Sequence, residues 1–361
     1  MKIRYIRYFA FLAAFVAFSC SKNPSGGDDS VLPLLFSAET DDLQMKSGAG
    51  SNSIITTGSN LKEHSFGVYG VYTDTEGDPN GTNVFLDPSV EVNYDEVTDP
   101  LNPQWTYSPL TYWTLNKFYR FRAFHPYSGN AITLNSLSDA DKIVIEYASA
   151  AGQEDLLVGF KTVESVVANI KEKVKIKFEH ALSALEFKIA FRDSADIDDD
   201  YTDNYTDNIT NFYLTGLIPT GTLIYGHPTG DYLTPIIDWN ATYYDGDGIY
   251  FEWTGSKKFG KIGQTDPDTG KAYPVPVFDG DGDYKVVFCV PQTCSSSASK
   301  PTTVHFKTQS SEAENSVVLP SIEWKYGKIY TYTLLVNKSD IELEITVKDW
   351  TEIQSNEDIY L

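Results

Sequence analysis

Apolar and polar residues alternate with a period of two along much of the chain, the pattern of strands that turn one face to a core and the other to water. In the clearest run, Ile341, Leu343, Ile345 and Val347 share one face. Tyr330, Tyr332, Leu334 and Val336 alternate with Thr331, Thr333 and Leu335, and Val174, Ile176 and Phe178 alternate with Lys173, Lys175 and Lys177. Similar runs cover 66–72, 185–191 and 284–290. Tyr119, Phe121 and Ala123 oppose Arg120 and Arg122, which places both arginines on a solvent face. Helical spacing is scarce, with one turn at 138–142 and an ambiguous stretch at 164–173. Turn-rich loops separate the runs at 74–82, 95–103, 193–208 and 266–283. Many strands at short spacing predict an all-β chain of sandwich domains. A length of 361 residues exceeds what one core usually reaches, so two domains are expected. A composition shift near 165–173 places them at 36–172 and 173–361.

Composition sharpens this picture. The 24 Tyr, 20 Phe and 6 Trp, with 25 Gly, 17 Pro and only 2 Met, favour strands and turns over helices. The 28 basic against 50 acidic residues give a formal charge of −22. That balance argues against nucleic acid, which needs cations to displace counterions from phosphate.

The N-terminus reads as an address. Lys2, Arg4 and Arg7 precede an apolar run over 9–18, and Ser19-Cys20 follows, the parts of an export signal. The run is too short to span a bilayer, which takes roughly 20 residues. Val16-Ala17-Phe18-Ser19-Cys20 resembles the lipobox of bacterial lipoproteins, in which the cysteine is acylated and becomes the first residue; Phe18 departs from the usual small residue. Residues 1–20 are therefore expected to be a lipoprotein signal, with Cys20 the lipidation site and an outer membrane the anchor. Removing Lys2, Arg4 and Arg7 with the signal takes the charge from −22 to −25. Residues 21–35 read as a tether, with a Ser/Gly/Asp composition at 21–30 similar to the tags that route Bacteroidetes lipoproteins to the cell surface.

Chemistry is harder to find. His64, His125, His180, His227 and His305 stand apart in sequence, and no HExxH, CxxC, GxSxG or phosphate-cradling loop is present. No catalytic residue, metal site or cofactor is expected. His180 is read as a hydrogen-bonded structural histidine before a base. Asp279-Gly-Asp-Gly-Asp283 begins like a calcium loop, but Tyr284 and Val290 occupy positions that an EF-hand gives to Gly and Glu; a hairpin turn is the plainer reading. Asp245 and Asp247 make a shorter version. Cys289 and Cys294, with four residues between them around Pro291, either form a disulfide or remain free thiols. Asp193-Ser194-Ala195 resembles a short Bacteroidetes O-glycosylation motif, with Ser194 the acceptor.

Several blocks, in order, carry a wider resemblance: Ser65-Phe-Gly-Val-Tyr69; Tyr112-Trp113 followed by Tyr119-Arg-Phe-Arg-Ala-Phe-His-Pro-Tyr127; Asp155-Leu-Leu-Val158; Val174-Lys-Ile-Lys-Phe-Glu-His-Ala-Leu-Ser-Ala-Leu-Glu-Phe187; Ile322-Glu-Trp-Lys-Tyr-Gly-Lys-Ile-Tyr-Thr-Tyr332; and Val347-Lys-Asp-Trp350. In these the chain resembles the fimbrillin superfamily, the Bacteroidetes type V pilus subunits and their Mfa-like relatives. The resemblance implies two tandem transthyretin-like β-sandwiches, export as a lipoprotein, and assembly with other fimbrial subunits by strand exchange after a surface protease removes the first strand. Val31-Leu-Pro-Leu-Leu-Phe-Ser-Ala38 is the expected first strand. The loop over 45–60 offers Lys46 as the processing site where the family typically presents Arg, which puts cleavage by an Arg-specific enzyme in doubt.

The leading expectation is a non-enzymatic structural or adhesive fimbrial subunit at the cell surface, with a host or bacterial surface ligand in an adhesive role. The alternative is a surface glycan-binding lipoprotein that does not polymerise. It would need Trp105, Trp113, Trp239 and Trp253 exposed for stacking on sugar rings; otherwise they belong to the core.

Overall fold

A computed structural model describes residues 32–40, 61–62, 64–78, 81–85, 89–95, 104–136, 142–149, 151–164, 172–192, 206–226, 235–241, 248–278, 286–294, 296, 299–337 and 341–349. The expected positions at Cys20, Lys46 and Ser194, and the aspartate turns at 245–247 and 279–283, lie outside the described residues. The described strands run β1 to β23 in chain order.

The first sheet is ordered β1 (Phe36–Thr40), β10 (Val174–His180), β9 (Leu157–Val163), β6 (Phe118–His125), β2 (Phe66–Thr73), β4 (Ser89–Asp95) and β5 (Gln104–Thr106), with β3 (Thr82–Asn83) pairing β2. The second is β14 (Ile236–Ala241), β13 (Thr220–Gly226), β8 (Lys142–Ala148) and β7 (Ile132–Ser136). The third is β16 (Val275–Pro276), β11 (Ser183–Phe191), β22 (Lys328–Val336) and β23 (Ile341–Asp349), with β17 (Val287–Cys289) on β11. The fourth is β15 (Ile249–Gly260), β12 (Thr206–Thr215), β19 (Thr303–Thr308) and β20 (Ser311–Val318); β18 (Gln292–Cys294) and β21 (Ile322–Trp324) make a separate pair.

Three cores hold these sheets together. Phe66, Val68, Phe121, Ala123, Leu157, Ile176 and Phe178 fill one face of the first sheet. On its other face Phe124 and Val158 join Ile143, Ile145, Tyr147, Leu223 and Tyr225 of the second sheet. Phe187, Tyr332 and Leu334 of the third sheet meet Phe212, Leu214, Trp253 and Phe306 of the fourth.

Covering the first sheet on both faces changes two expectations. Arg120 and Arg122 do not face solvent: both are buried, because β6 is a central strand with apolar residues on either side, and the Arg122 guanidinium lies 5.6 Å from the Phe160 ring centre. Strand β2 is also buried along nearly its whole length. Gly67 permits this, since a Cβ there would fall 2.3 Å from the Phe124 ring. The position expected as a domain boundary, 172/173, is crossed by hydrogen bonding. Strand β10 lies beyond it yet pairs with β1 and β9, and β13 pairs with β8. Sheet membership changes after His180, between β10 and β11, because the lysine-rich alternation of β10 continues the first sheet. Composition shifts at the loop before that strand, and pairing shifts after it.

Candidate functional site: the docked first strand

The chain enters the fold as an edge strand whose attachment is unusually complete. Leu32, Leu34, Phe36 and Ala38 alternate with Pro33, Leu35 and Ser37, so one side of an extended segment is apolar. Pro33 lacks a donor, which an edge tolerates and a central strand does not. Strand β1 pairs in parallel with β10, from Phe36 opposite Val174 to Thr40 opposite Phe178. The Val174 amide donates to the Leu35 carbonyl at 2.7 Å.

Its other side is gripped by the loop leading into β6. The Leu34 amide donates to the Thr111 carbonyl at 2.9 Å, and the Trp113 amide donates to the Leu32 carbonyl at 3.2 Å. Pro33 and Tyr112 form an antiparallel bridge. The Tyr107 hydroxyl donates to the Leu34 carbonyl at 2.8 Å. Burial raises the pKa of that phenol, an effect partly offset by its hydrogen bonds to Thr111. The loop thus holds residues 32–34 from one side in strand-like fashion, and β10 takes the chain from Leu35 onward on the other.

Side chains complete the seat. Leu34 and Phe36 are fully buried. The Phe36 ring centre lies 5.5 Å from Tyr107, 5.5 Å from Phe121 and 6.3 Å from Phe85. Such tilted and edge-on arrangements suit aromatic quadrupoles. The arrangement is a groove with main-chain partners along both walls and an aromatic pocket in its floor, suited to holding an extended chain by β-augmentation. Sequence reasoning located the strand, which the structure begins at Phe36, after the segment held by the loop. It missed Tyr107 and Thr111, whose parts are a hydroxyl and a backbone carbonyl with no sequence signature.

Other expected residues take structural positions. His180 Nδ1 is 3.0 Å from the buried Asp155 carboxylate, just where β10 ends. Cys289 and Cys294 are buried free thiols with no bond between them; burial raises the pKa of both, and for Cys289 the neighbouring Cys294 adds to the rise. Trp105, Trp113 and Trp253 are 5%, 4% and 8% exposed and belong to the cores. Trp239 is half-buried, its indole N–H donating to the Ala181 carbonyl at 2.8 Å. These tryptophans do not form a stacking surface for sugars.

The fold is similar to that of a solved fimbrial protein. A fimbrial protein from Bacteroides vulgatus superimposes with a TM-score of 0.53 at 17% identity, covering 88% of this chain and 99% of its own. A candidate cell adhesion protein from Bacteroides uniformis gives 0.47 at 18% identity over 90% and 100% of the two chains. The tip fimbrial protein Mfa3 from Porphyromonas gingivalis, C-terminally truncated, gives 0.38 at 9% identity over 88% and 99%. No curated protein sequence matches the chain. Residues 55–350 fit the sequence pattern described as fimbrillin-like. With that match spanning most of an all-β chain, the protein belongs to the fimbrillin-like family.

Proposed function

We propose that the protein is a structural or adhesive subunit of a surface fimbrium whose first strand is a removable occupant of its own groove. On this reading the chain is exported through residues 1–20, lipidated at Cys20 and held to the outer membrane until cleavage at Lys46 frees the segment that contains β1. An extended strand of a neighbouring subunit then takes its place, and the sheets described above form two transthyretin-like sandwiches. The protein works by packing and has no catalytic role.

One observation carries the reading: β1 is at the sheet edge, precedes Lys46 in the chain, and places Phe36 in an aromatic pocket between the loop-held residues 32–34 and its ladder with β10. An edge of this kind, once vacated, exposes unpaired amides and carbonyls beside an apolar slot, which templates another strand. Trypsin accepts Lys, so limited digestion of the full chain tests the sequence of events. Release of an N-terminal fragment ending at Lys46, followed by SDS-resistant oligomers, is the expected result. A trimmed chain that stays monomeric would remove the assembly claim.

A further inference from the structure

A cleft of about 420 Å3 adjoins the loop that grips the first strand, within the roughly 300–1,000 Å3 usual for small-molecule sites. Its polar wall comes from strands at the sheet end opposite β1. Alternation along β4 buries Val90 and Val92 and leaves Glu91 and Asn93 exposed, and both of these line the cleft. Thr106 of β5 lies opposite Asn93 in the ladder and contributes a hydroxyl. Phe85 and Tyr107 lie buried beneath the cleft, and its accessible apolar surface comes from the exposed Pro109 and the half-buried Tyr127. These groups are braced. Tyr107 is fixed by its bond to the Leu34 carbonyl and by Phe85, 5.7 Å away between ring centres. Tyr127 stacks on Phe124 at 6.2 Å.

The lining selects a chemical class. One carboxylate, one amide and several hydroxyls supply acceptors and donors side by side, while the Tyr127 ring and Pro109 supply surface for C–H faces. A molecule that presents hydroxyls around its rim and C–H groups on its face matches both. Among the described lining residues there is no Lys or Arg, and the chain carries a charge of −22, so an anionic ligand would meet repulsion with no partner. A single carboxylate among neutral groups makes a weak trap for a cationic peptide. We propose that this cleft binds a neutral saccharide. The site does not depend on strand exchange, because the uncut chain already contains it.

Saturation-transfer NMR on the full, uncut chain tests this with methyl glycosides of glucose, galactose, mannose and N-acetylglucosamine as probes. Methyl glucuronide and N-acetyl-lysine amide serve as the anionic and cationic counterparts. Saturation of at least one neutral glycoside is expected, with little or none on the two charged probes. The double variant Glu91→Ala/Asn93→Ala removes two exposed groups and leaves the core intact. It should weaken binding by about tenfold for each hydrogen bond lost, while Ser316→Ala, on the exposed side of β20, leaves it unchanged. The proposal is overturned if no neutral glycoside is saturated, if saturation survives the double variant, or if a charged probe is the one preferred.

Discussion

The two edge strands nearest the ends of the described fold are attached in opposite ways. Strand β23 pairs with β22 along all nine of its residues, from Ile341 opposite Val336 to Asp349 opposite Lys328. Ion pairs at the sheet margin reinforce it, Lys328 with Asp349 and Arg192 with Glu342. Its side chains nonetheless sit mostly at the margin of the core, and Val347 is 48% exposed. Strand β1 pairs over five residues only, yet Phe36 is wholly enclosed and the segment before it is held from both sides. Backbone pairing exchanges water bonds for protein bonds and stabilises by about 1 kcal/mol per bond. Burying a Phe side chain contributes about 1.5–3 kcal/mol. The short strand is therefore locked by a few deep contacts, while the long one is laid along its neighbour.

The contrast can be broken most readily at Phe36. Phe36→Ala should destabilise the fold by about 3–5 kcal/mol in urea unfolding; a cost near that of an exposed substitution would mean that the pocket is not an anchor. His125, in the same sheet as β1, gives the next largest effect. Burial lowers its pKa to about 4, against the pull of its bond to the Ser65 carbonyl at 2.9 Å. The folded value lies below the unfolded one of about 6.5, so the full stability is present above that value and is lost as pH falls toward 4. At about 1.4 kcal/mol per unit the loss reaches about 3 kcal/mol. Urea midpoints measured between these limits should fall in the parent chain and fall less in His125→Gln. Tyr107→Phe leaves the Leu34 carbonyl short of a donor and should cost about 1–2 kcal/mol. Amide exchange should quicken at Leu34 and Val174 before it does along β22 and β23. Val347→Ala should change stability by less than about 0.5 kcal/mol, and a larger cost would erase the difference between the strands.

Much of this arrangement is written in the period-two pattern. Strands β10, β11, β22 and β23 appear where Val174, Leu185, Tyr330 and Ile341 open their alternating runs, because each shows a polar face that keeps the pattern visible. The pattern misleads at Arg120 and Arg122, where a second sheet covers the face that alternation assigns to water. Strand pairing also crosses 172/173, since ladder partners depend on which edge is free and not on local composition. The docked strand was legible through Leu34 and Phe36. Its clamp was not, because Tyr107 and Thr111 act through a hydroxyl and a backbone carbonyl that any neighbouring residues could present. The cleft was equally hidden: Glu91 and Asn93 look like ordinary solvent-facing positions until β5 and the loop after it fold beside them.

The central claim is that the groove around β1 can be emptied and refilled. The most direct measurement is the binding of a fluorescent peptide with the sequence of residues 31–40 to chain cut by trypsin and freed of its N-terminal fragment. Saturable binding that suppresses oligomer formation, and that is lost when the peptide carries Ala in place of Phe36, is the predicted result. A cut chain that leaves the peptide free, or binds it equally well without the phenylalanine, would contradict the account.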